Sequence, residues 1–477
     1  EVNFKSSYHE PVSNNAIQGS NMIESNVIDF SKIRKENLRL IKQCKNLGIN
    51  IEISDRLSRK SIHDCSLKQL LAPLSQFLND NKVLFVIDQL INLKCVDSKG
   101  KFINSTQNQT ESIKLLDNLY DTGVLTSREK LSFTRALFGV FSDMADYYFN
   151  ANHGLFAPDG KIVFLGSYED VEQRAIENSY IIATHLQNGQ FPILINKKGF
   201  EGPANVSLAH KTLSIDGKLH SLVIDYVGGS RSSKFPLEII NPILENLNLP
   251  PYYCISLYAK SGMEKQIYHQ DCGLTVFYNN DEPHYIGEFS SKFISQDIIL
   301  DRVNPSGIAM IAKDGFSFES QHDLTKLFDK TLFVDVKNEP LAANSVLVRG
   351  SCRPVAIVPN SLLSHEYLWL EQHGFDVVKT ELSLRSGGGG AKCMSNIPGH
   401  KSVGISTHEW VVNTMRLGLP RPSNLLVAAV KELLDETSIS PNDPGDNPDN
   451  GSSFGAYIFR DTKPKLEFIE NQQLNFI

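Results

Sequence analysis

Residues 340–400 hold PLAANSVLVRG (340–350), PVAIVP (354–359), SLLSHEYLWLEQHG (361–374), FDVVKTELS (375–383) and RSGGGGAKCMSNIPGH (385–400). The first, second and fourth segments are short apolar runs of the kind that form buried strands, and the third is helical. Together they read strand–strand–helix–strand. Four glycines, Gly387 to Gly390, follow. Each loses backbone entropy on folding and packs nothing, so no helix or strand interior wants the run. It suits backbone that bends sharply or approaches a ligand closely, and it delivers Cys393.

Upstream, small mixed units recur. Strands are expected at 161–167, 191–195, 206–214, 220–227, 252–260, 273–279 and 331–336. Helices are expected at about 169–187 and at 235–247. DYYFNANHGLF (146–156) reads as a strand leading into a loop. KVLFVIDQLINLKCV (82–96) is apolar and β-branched and reads as a buried strand, with helices at 111–123 and 127–144. No fixed repeat length is evident. The order fits an α/β protein and leaves open one sheet or several.

The two ends differ from this body. Residues 1–30 are polar and turn-rich. SKIRKENLRLIKQCKNLG (31–48) is helical, with Ile33, Leu38, Leu40, Ile41 and Leu47 near one face and Gly48 as a stop. LKQLLAPLSQFLNDN (67–81) is a second helix broken near Pro73. After Cys393 a helix is expected at 424–437. A polar loop follows at 439–453, too poor in apolar residues to pack, and then FGAYIFRDTKPKLEFIE (454–470) as a returning strand. The expected organisation is an arm and helical extension at 1–81, a catalytic domain at 82–400 and a C-terminal extension at 401–477.

At 477 residues a sizeable core is easily built. Hydrophobic residues are 41% and charged residues 21%, ordinary for a globular protein. A net charge of −7 lacks the basic excess of a nucleic-acid binder. No apolar run is long enough for a membrane span, and the first residues lack the apolar core of a signal peptide. The seven cysteines are widely spaced, with no C-x-x-C pair. That suits neither a disulfide framework nor a zinc site, and points to a reducing, cytoplasmic compartment; delivery to another cell stays open. Two N-x-S/T matches, at Asn104 and Asn108, carry little weight in an Asn-rich chain. No metal or organic cofactor site is read.

A cysteine after glycines is commonly a small buried hydrophobe, and it becomes chemical only with a base. His269 and Asp271, in QIYHQDCGLTVFYN (266–279), are two residues apart and at strand spacing would face one pocket, with Gln270 turned away. Glu201, in GFEGPANVSL (199–208), sits in a turn at a strand tip. Asn152, in the strand-to-loop stretch above, offers a polar side chain to a cleft. Each alone is equally explained as turn or core chemistry.

In this order the stretches resemble the guanidine-modifying enzyme superfamily of arginine deiminases, dimethylarginine hydrolases, arginine dihydrolases and amidinotransferases. The Gly-rich run into Cys393-Met394 is the most specific match. His269-Gln-Asp271 resembles the family's H-x-D, Phe200-Glu201-Gly202 its F-E-G turn, and Phe149-Asn-Ala-Asn152 its strand-end motif. LVIDYVGGSRSSKF (222–235) resembles the segment bearing a substrate-contacting arginine, here Arg231. The resemblance covers about residues 82–399.

It implies a five-bladed α/β-propeller (the pentein fold) of ββαβ modules around a central pocket. It further implies Cys393 as nucleophile, His269 as general acid and base, and Glu201 as the group that orients His269. Asp271, Asn152, Asn205 and Arg231 would bind substrate. The expected activity is thiol-dependent hydrolysis of a guanidino group through a covalent thiouronium, as in an arginine dihydrolase or deiminase. The alternatives are amidino transfer, modification of a protein arginine, or a binding module without catalysis. Arginine deiminases usually carry aspartate where Asn152 stands, and the acidic residue often found after F-E-G is here Asn205. Asn152 in this context is closer to the dihydrolases, and two amides for two acids reduce charge complementarity to a free guanidinium.

Overall fold

The computed structural model describes residues 30–54, 66–76, 78–98, 100–103, 105–139, 154–167, 179, 181–198, 200–278, 282–336, 341–349, 353–380, 391–393, 395–396, 403–437 and 456–460. Asn152, the glycine run and the polar segment at 439–453 lie outside them.

The fold is mixed α/β, and its described strands form five small sheets. Four share one pattern: two antiparallel strands, then a third parallel to the second. The first joins β2 (Gly154–Phe156), β3 (Ile162–Ser167) and β4 (Phe191–Lys198). The next joins β5 (Val206–Ile215), β6 (Lys218–Val227) and β7 (Tyr252–Tyr258). A third joins β8 (Leu274–Phe277), β10 (Ile308–Ala312) and β11 (Lys330–Val334). The fourth joins β12 (Val346–Arg349), β13 (Pro354–Pro359) and β14 (Asp376–Thr380), as the sequence of 340–383 implies. Between β8 and β10 the chain inserts β9 (His284–Phe289), which leaves its neighbours and adds to β5. The last sheet runs across the chain, pairing β16 (Ala456–Arg460) with β1 (Asn50–Ser54) and with β15 (Ser395–Asn396).

The β13–β14 crossover shows why these units hold. Val355, Ala356, Ile357 and Val358 are buried in succession, as expected of a central strand covered on both faces. The connecting helix, Ser364–Gln372, packs Tyr367 and Leu370 inward, and Tyr367 Oη donates to the Pro359 carbonyl at 2.9 Å.

Residues 82–96 do not form the expected strand. Residues 82–92 belong to a helix, Asp80–Asn92, capped by Asn79, whose side chain accepts from the Asn81 amide. Val83, Val86, Ile87 and Leu90 are its buried face. Their three-to-four spacing is a helical stripe that the β-branched composition of the run obscured. Leu38 departs from its expected face as well. On the helix Phe30–Asn46, Leu40 and Cys44 are buried four residues apart while Leu38 is exposed, because two residues turn a helix by about 200°.

Two apolar cores result. One is centred on the β5–β14 sheets, with Tyr226, Phe277, Ile311, Phe316 and Phe375 among its members. The other is assembled from distant segments: Leu70 and Leu74, Phe133, Phe164, Ile193 and Tyr252, then Trp410, Leu426, Val430 and Leu433. Trp410 Nε1 donates to the Pro192 carbonyl at 2.9 Å, tying the helix Thr407–Arg416 to β4. No helix among the described residues is long and apolar enough to cross a membrane.

Candidate active site

Glu201 lies in the link from β4 to β5, just before a one-turn 3-10 helix, Gly202–Ala204. Gly202 has φ +52°, a conformation that favours glycine and turns the chain at once after the carboxylate. Glu201 is fully buried. Its Oε2 accepts from a terminal guanidinium nitrogen of Arg231 at 2.9 Å, and its Oε1 lies 3.3 Å from Arg231 Nε. The planar fork of arginine suits this two-point hold. His269 Nε2 also lies 2.9 Å from Glu201 Oε2. That ring nitrogen has no aligned hydrogen-bond partner among the described residues.

Arg231 reaches this position through a close approach of two backbones. A Cβ on Gly229 would fall 2.5 Å from the Tyr268 carbonyl and 2.9 Å from that of Ile267. Only glycine allows the 228–231 turn to lie against the segment that carries His269. Arg231 also stands 5.9 Å from the Tyr268 ring centroid.

His269 and Asp271 do not sit on a strand. His269 is extended, and Gln270–Cys272 form a single 3-10 turn ahead of β8. A 3-10 turn separates i and i+2 by about 240°, so the shared strand face is lost. The two side chains have separate partners instead, His269 at Glu201 and Asp271 at Cys393. Gln270 does point away: it accepts from Ser207 Oγ and donates to the Ile224 carbonyl at 2.8 Å.

Cys393 is 2% exposed, and its Sγ donates to Asp271 Oδ2 at 2.9 Å. Cys272 Sγ lies 3.7 Å from the other carboxylate oxygen, Oδ1. Both thiols therefore share one buried carboxylate. Burial pushes the Cys393 thiol well above its ordinary range, helped by its contact with Cys272 and by the Asp271 charge. Burial likewise raises the Tyr268 phenol, with the Cys272, Cys393 and Asp271 charges adding to it.

Two residues that the sequence reading did not single out complete the cluster. Asn344 is fully buried, with Nδ2 3.0 Å from Cys393 Sγ. Lys392 Nζ donates to the Leu274 carbonyl at 2.9 Å; burial lowers its pKa, opposed by the Asp271 and Cys393 charges. The only signal for Asn344 was its place at the mouth of a predicted strand. For Lys392 it was a charged residue beside the candidate nucleophile.

Asn205 is 2% exposed. Its Nδ2 donates to the Arg231 carbonyl at 2.9 Å, while Oδ1 is buried without a partner among the described residues. Arg231, expected at the substrate, forks onto Glu201. The structure thus gathers Glu201, His269, Arg231 and Asn205 into one set and Asp271, Cys393, Cys272, Lys392 and Asn344 into another. The 268–272 segment belongs to both. No group of three or more His, Cys, Asp or Glu among the described residues could hold a metal ion.

No protein-family model and no curated protein matches the chain. Several solved structures are similar to it. The N-terminal domain of ArgZ, an arginine dihydrolase from the ornithine–ammonia cycle in cyanobacteria, is 21% identical with a TM-score of 0.36, over 52% of this chain and 73% of that one. AgrE in complex with ornithine and NAD+ is 20% identical with a TM-score of 0.36, over 52% and 30%. DDAH from Pseudomonas aeruginosa, a cysteine-to-serine mutant in complex with citrulline, is 16% identical with a TM-score of 0.30, over 51% and 73%. These similar structures are guanidine-modifying enzymes of the pentein fold.

Proposed function

We propose that this chain hydrolyses a guanidino group with Cys393 as nucleophile, as an arginine dihydrolase or deiminase does. The observation that carries this is the Cys393 thiol on the Asp271 carboxylate at 2.9 Å, two residues along the chain from His269, itself 2.9 Å from Glu201. A thiol, an imidazole and two carboxylates so disposed have the parts that displacement at a guanidinium carbon needs. The pattern repeated in four of the sheets supports reading them as blades of a propeller, with the sheet of β1, β16 and β15 as the proposed fifth.

A guanidinium carbon is a poor electrophile, so orientation and charge must make the reaction possible. In the proposed path the cationic substrate settles against Asp271 and cancels the charge that keeps Cys393 protonated. The thiol proton passes to His269 as the thiolate forms and attacks the carbon. His269, held by Glu201, protonates the departing nitrogen and then takes a proton from the water that releases the thiouronium adduct. Glu201 orients the His269 ring for both steps. The unpartnered Oδ1 of Asn205 supports keeping it as a contact for a guanidinium N–H. Asn152 and Arg231 remain substrate-binding candidates from the resemblance alone. The proposed partner is a small guanidino compound; a protein arginine is the alternative acceptor of the same chemistry.

Incubation with L-arginine, followed by assay of ornithine, citrulline and ammonia, tests this. Ornithine with two ammonia per turnover is the dihydrolase outcome, and citrulline with one is the deiminase outcome. No product from arginine removes arginine as substrate. Cys393→Ser should abolish turnover, and a variant that keeps its rate places the nucleophile elsewhere.

A further inference from the structure

We propose that Asn344 is a positioning residue for Cys393, fixing the nucleophile loop and donating a hydrogen bond that favours the thiolate. This rests on Cys393 being the nucleophile.

The Asn344 side chain makes four contacts and is fully buried. Oδ1 accepts from the Lys392 amide at 2.9 Å and from the Cys393 amide at 3.4 Å. Nδ2 donates to the Asp271 carbonyl at 3.1 Å and meets Cys393 Sγ at 3.0 Å. The orientation of the amide is dictated by these neighbours. Two backbone N–H groups can be met only by the oxygen, so the nitrogen must face the sulfur and the carbonyl. One side chain therefore ties the loop ending in Cys393 to the turn bearing Asp271.

Asn344 is itself held rigidly. It lies in a turn closed by its own amide on the Leu341 carbonyl at 3.0 Å. Thr275 of β8 fastens that turn from the side, donating to the Ala343 carbonyl at 2.5 Å and accepting from the Ser345 amide at 3.2 Å. A donor fixed this way needs no rearrangement when charge appears on sulfur, which is when a preorganised dipole stabilises most.

The other groups around Cys393 are Asp271, Cys272, Tyr268 and Lys392. Asp271 opposes the thiolate. Asn344 is a neutral donor in contact with the sulfur, and it counters that opposition without adding charge. Its removal has two separable consequences. Loss of the donor makes the thiolate harder to form. Mere loosening of the site would admit water, relieve the burial and make it easier to form. The sign of the shift separates a positioning role from a purely structural one.

The test is the pH dependence of iodoacetamide alkylation at Cys393, read by peptide mass spectrometry with the partly exposed Cys254 as internal comparator. Asn344→Leu is the variant of choice, with Asn344→Ser if leucine prevents folding. The expected result is an upward shift of the Cys393 midpoint by about one pH unit. At any fixed pH below the midpoint, alkylation slows about tenfold. The Cys254 profile stays in place. A Cys393 midpoint that is unchanged or lower in the folded variant overturns the proposal. Alkylation needs no substrate, so the expected shift in a chain that hydrolyses no guanidine would sink the proposed function and leave this inference standing. An unshifted profile in an active enzyme does the reverse.

Discussion

The Cys393 thiol donates to the Asp271 carboxylate at 2.9 Å across 122 residues of sequence. A buried carboxylate beside a thiol holds the proton on sulfur, so the resting thiol is neutral. Asp271→Asn removes that charge and leaves the shape. Cys393 should then alkylate faster at pH 8, while turnover of a guanidino substrate falls by at least about 100-fold because its anchor is lost. Parallel measurement of both rates checks this, and a folded variant whose Cys393 alkylates no faster than the parent's overturns it.

Arg231 is the partner that makes a buried Glu201 carboxylate tolerable. Arg231→Met removes the guanidinium that forks onto that carboxylate and should cost on the order of 3 kcal/mol, measured by urea unfolding at pH 7. A variant as stable as the parent would mean that Glu201 relaxes to solvent. Glu201→Gln should spare more of the stability and lower turnover about 100-fold, through loss of the carboxylate that holds His269 in place.

The segment after residue 400 contributes Trp410, Val411, Leu425, Leu426, Ala429, Val430 and Leu433 to a core it shares with residues 67–252. At roughly 1.5–3 kcal/mol for each large apolar side chain buried, their sum rivals the whole stability of a domain. A chain ending at residue 400 should therefore bind a hydrophobic dye and lose its cooperative melt. A folded, monomeric 1–400 fragment would overturn this prediction.

His185 carries a pH dependence unrelated to catalysis. It is buried, its Nδ1–H donates to Gln190 Oε1 at 2.6 Å, and burial lowers its pKa from 6.5 to about 4. A depressed histidine favours folding only while neutral. The unfolded chain takes up a proton below about pH 6.5 and the folded chain only near 4, so stability falls as pH drops through that window, by about 3 kcal/mol in all. His185→Gln should be less stable at pH 7 yet show a flatter profile between pH 6.5 and 4 in urea titrations. An equally steep profile would assign the acid sensitivity to other groups.

Local sequence determined much of this protein. The apolar runs and turn residues of 340–383 specified a strand–strand–helix–strand unit, because period and punctuation are properties of neighbouring residues. The F-E-G turn, the H-x-D pair and Cys393 were legible as candidate chemistry for the same reason. The reading failed where composition and period conflicted, as at 82–96, where β-branched residues sit on a helical stripe. It also failed where a short turn replaced a strand, as at His269. Only the tertiary structure decided which candidates meet. Glu201 takes both Arg231 and His269, and Asp271 holds Cys393 rather than sharing a face with His269. Asn344 joins the site although nothing in its flanking residues marks it. Such pairings depend on how distant sheets pack, and on close approaches such as Gly229 against Tyr268. Burial then sets the energies, because the same thiol and carboxylate would titrate independently in water.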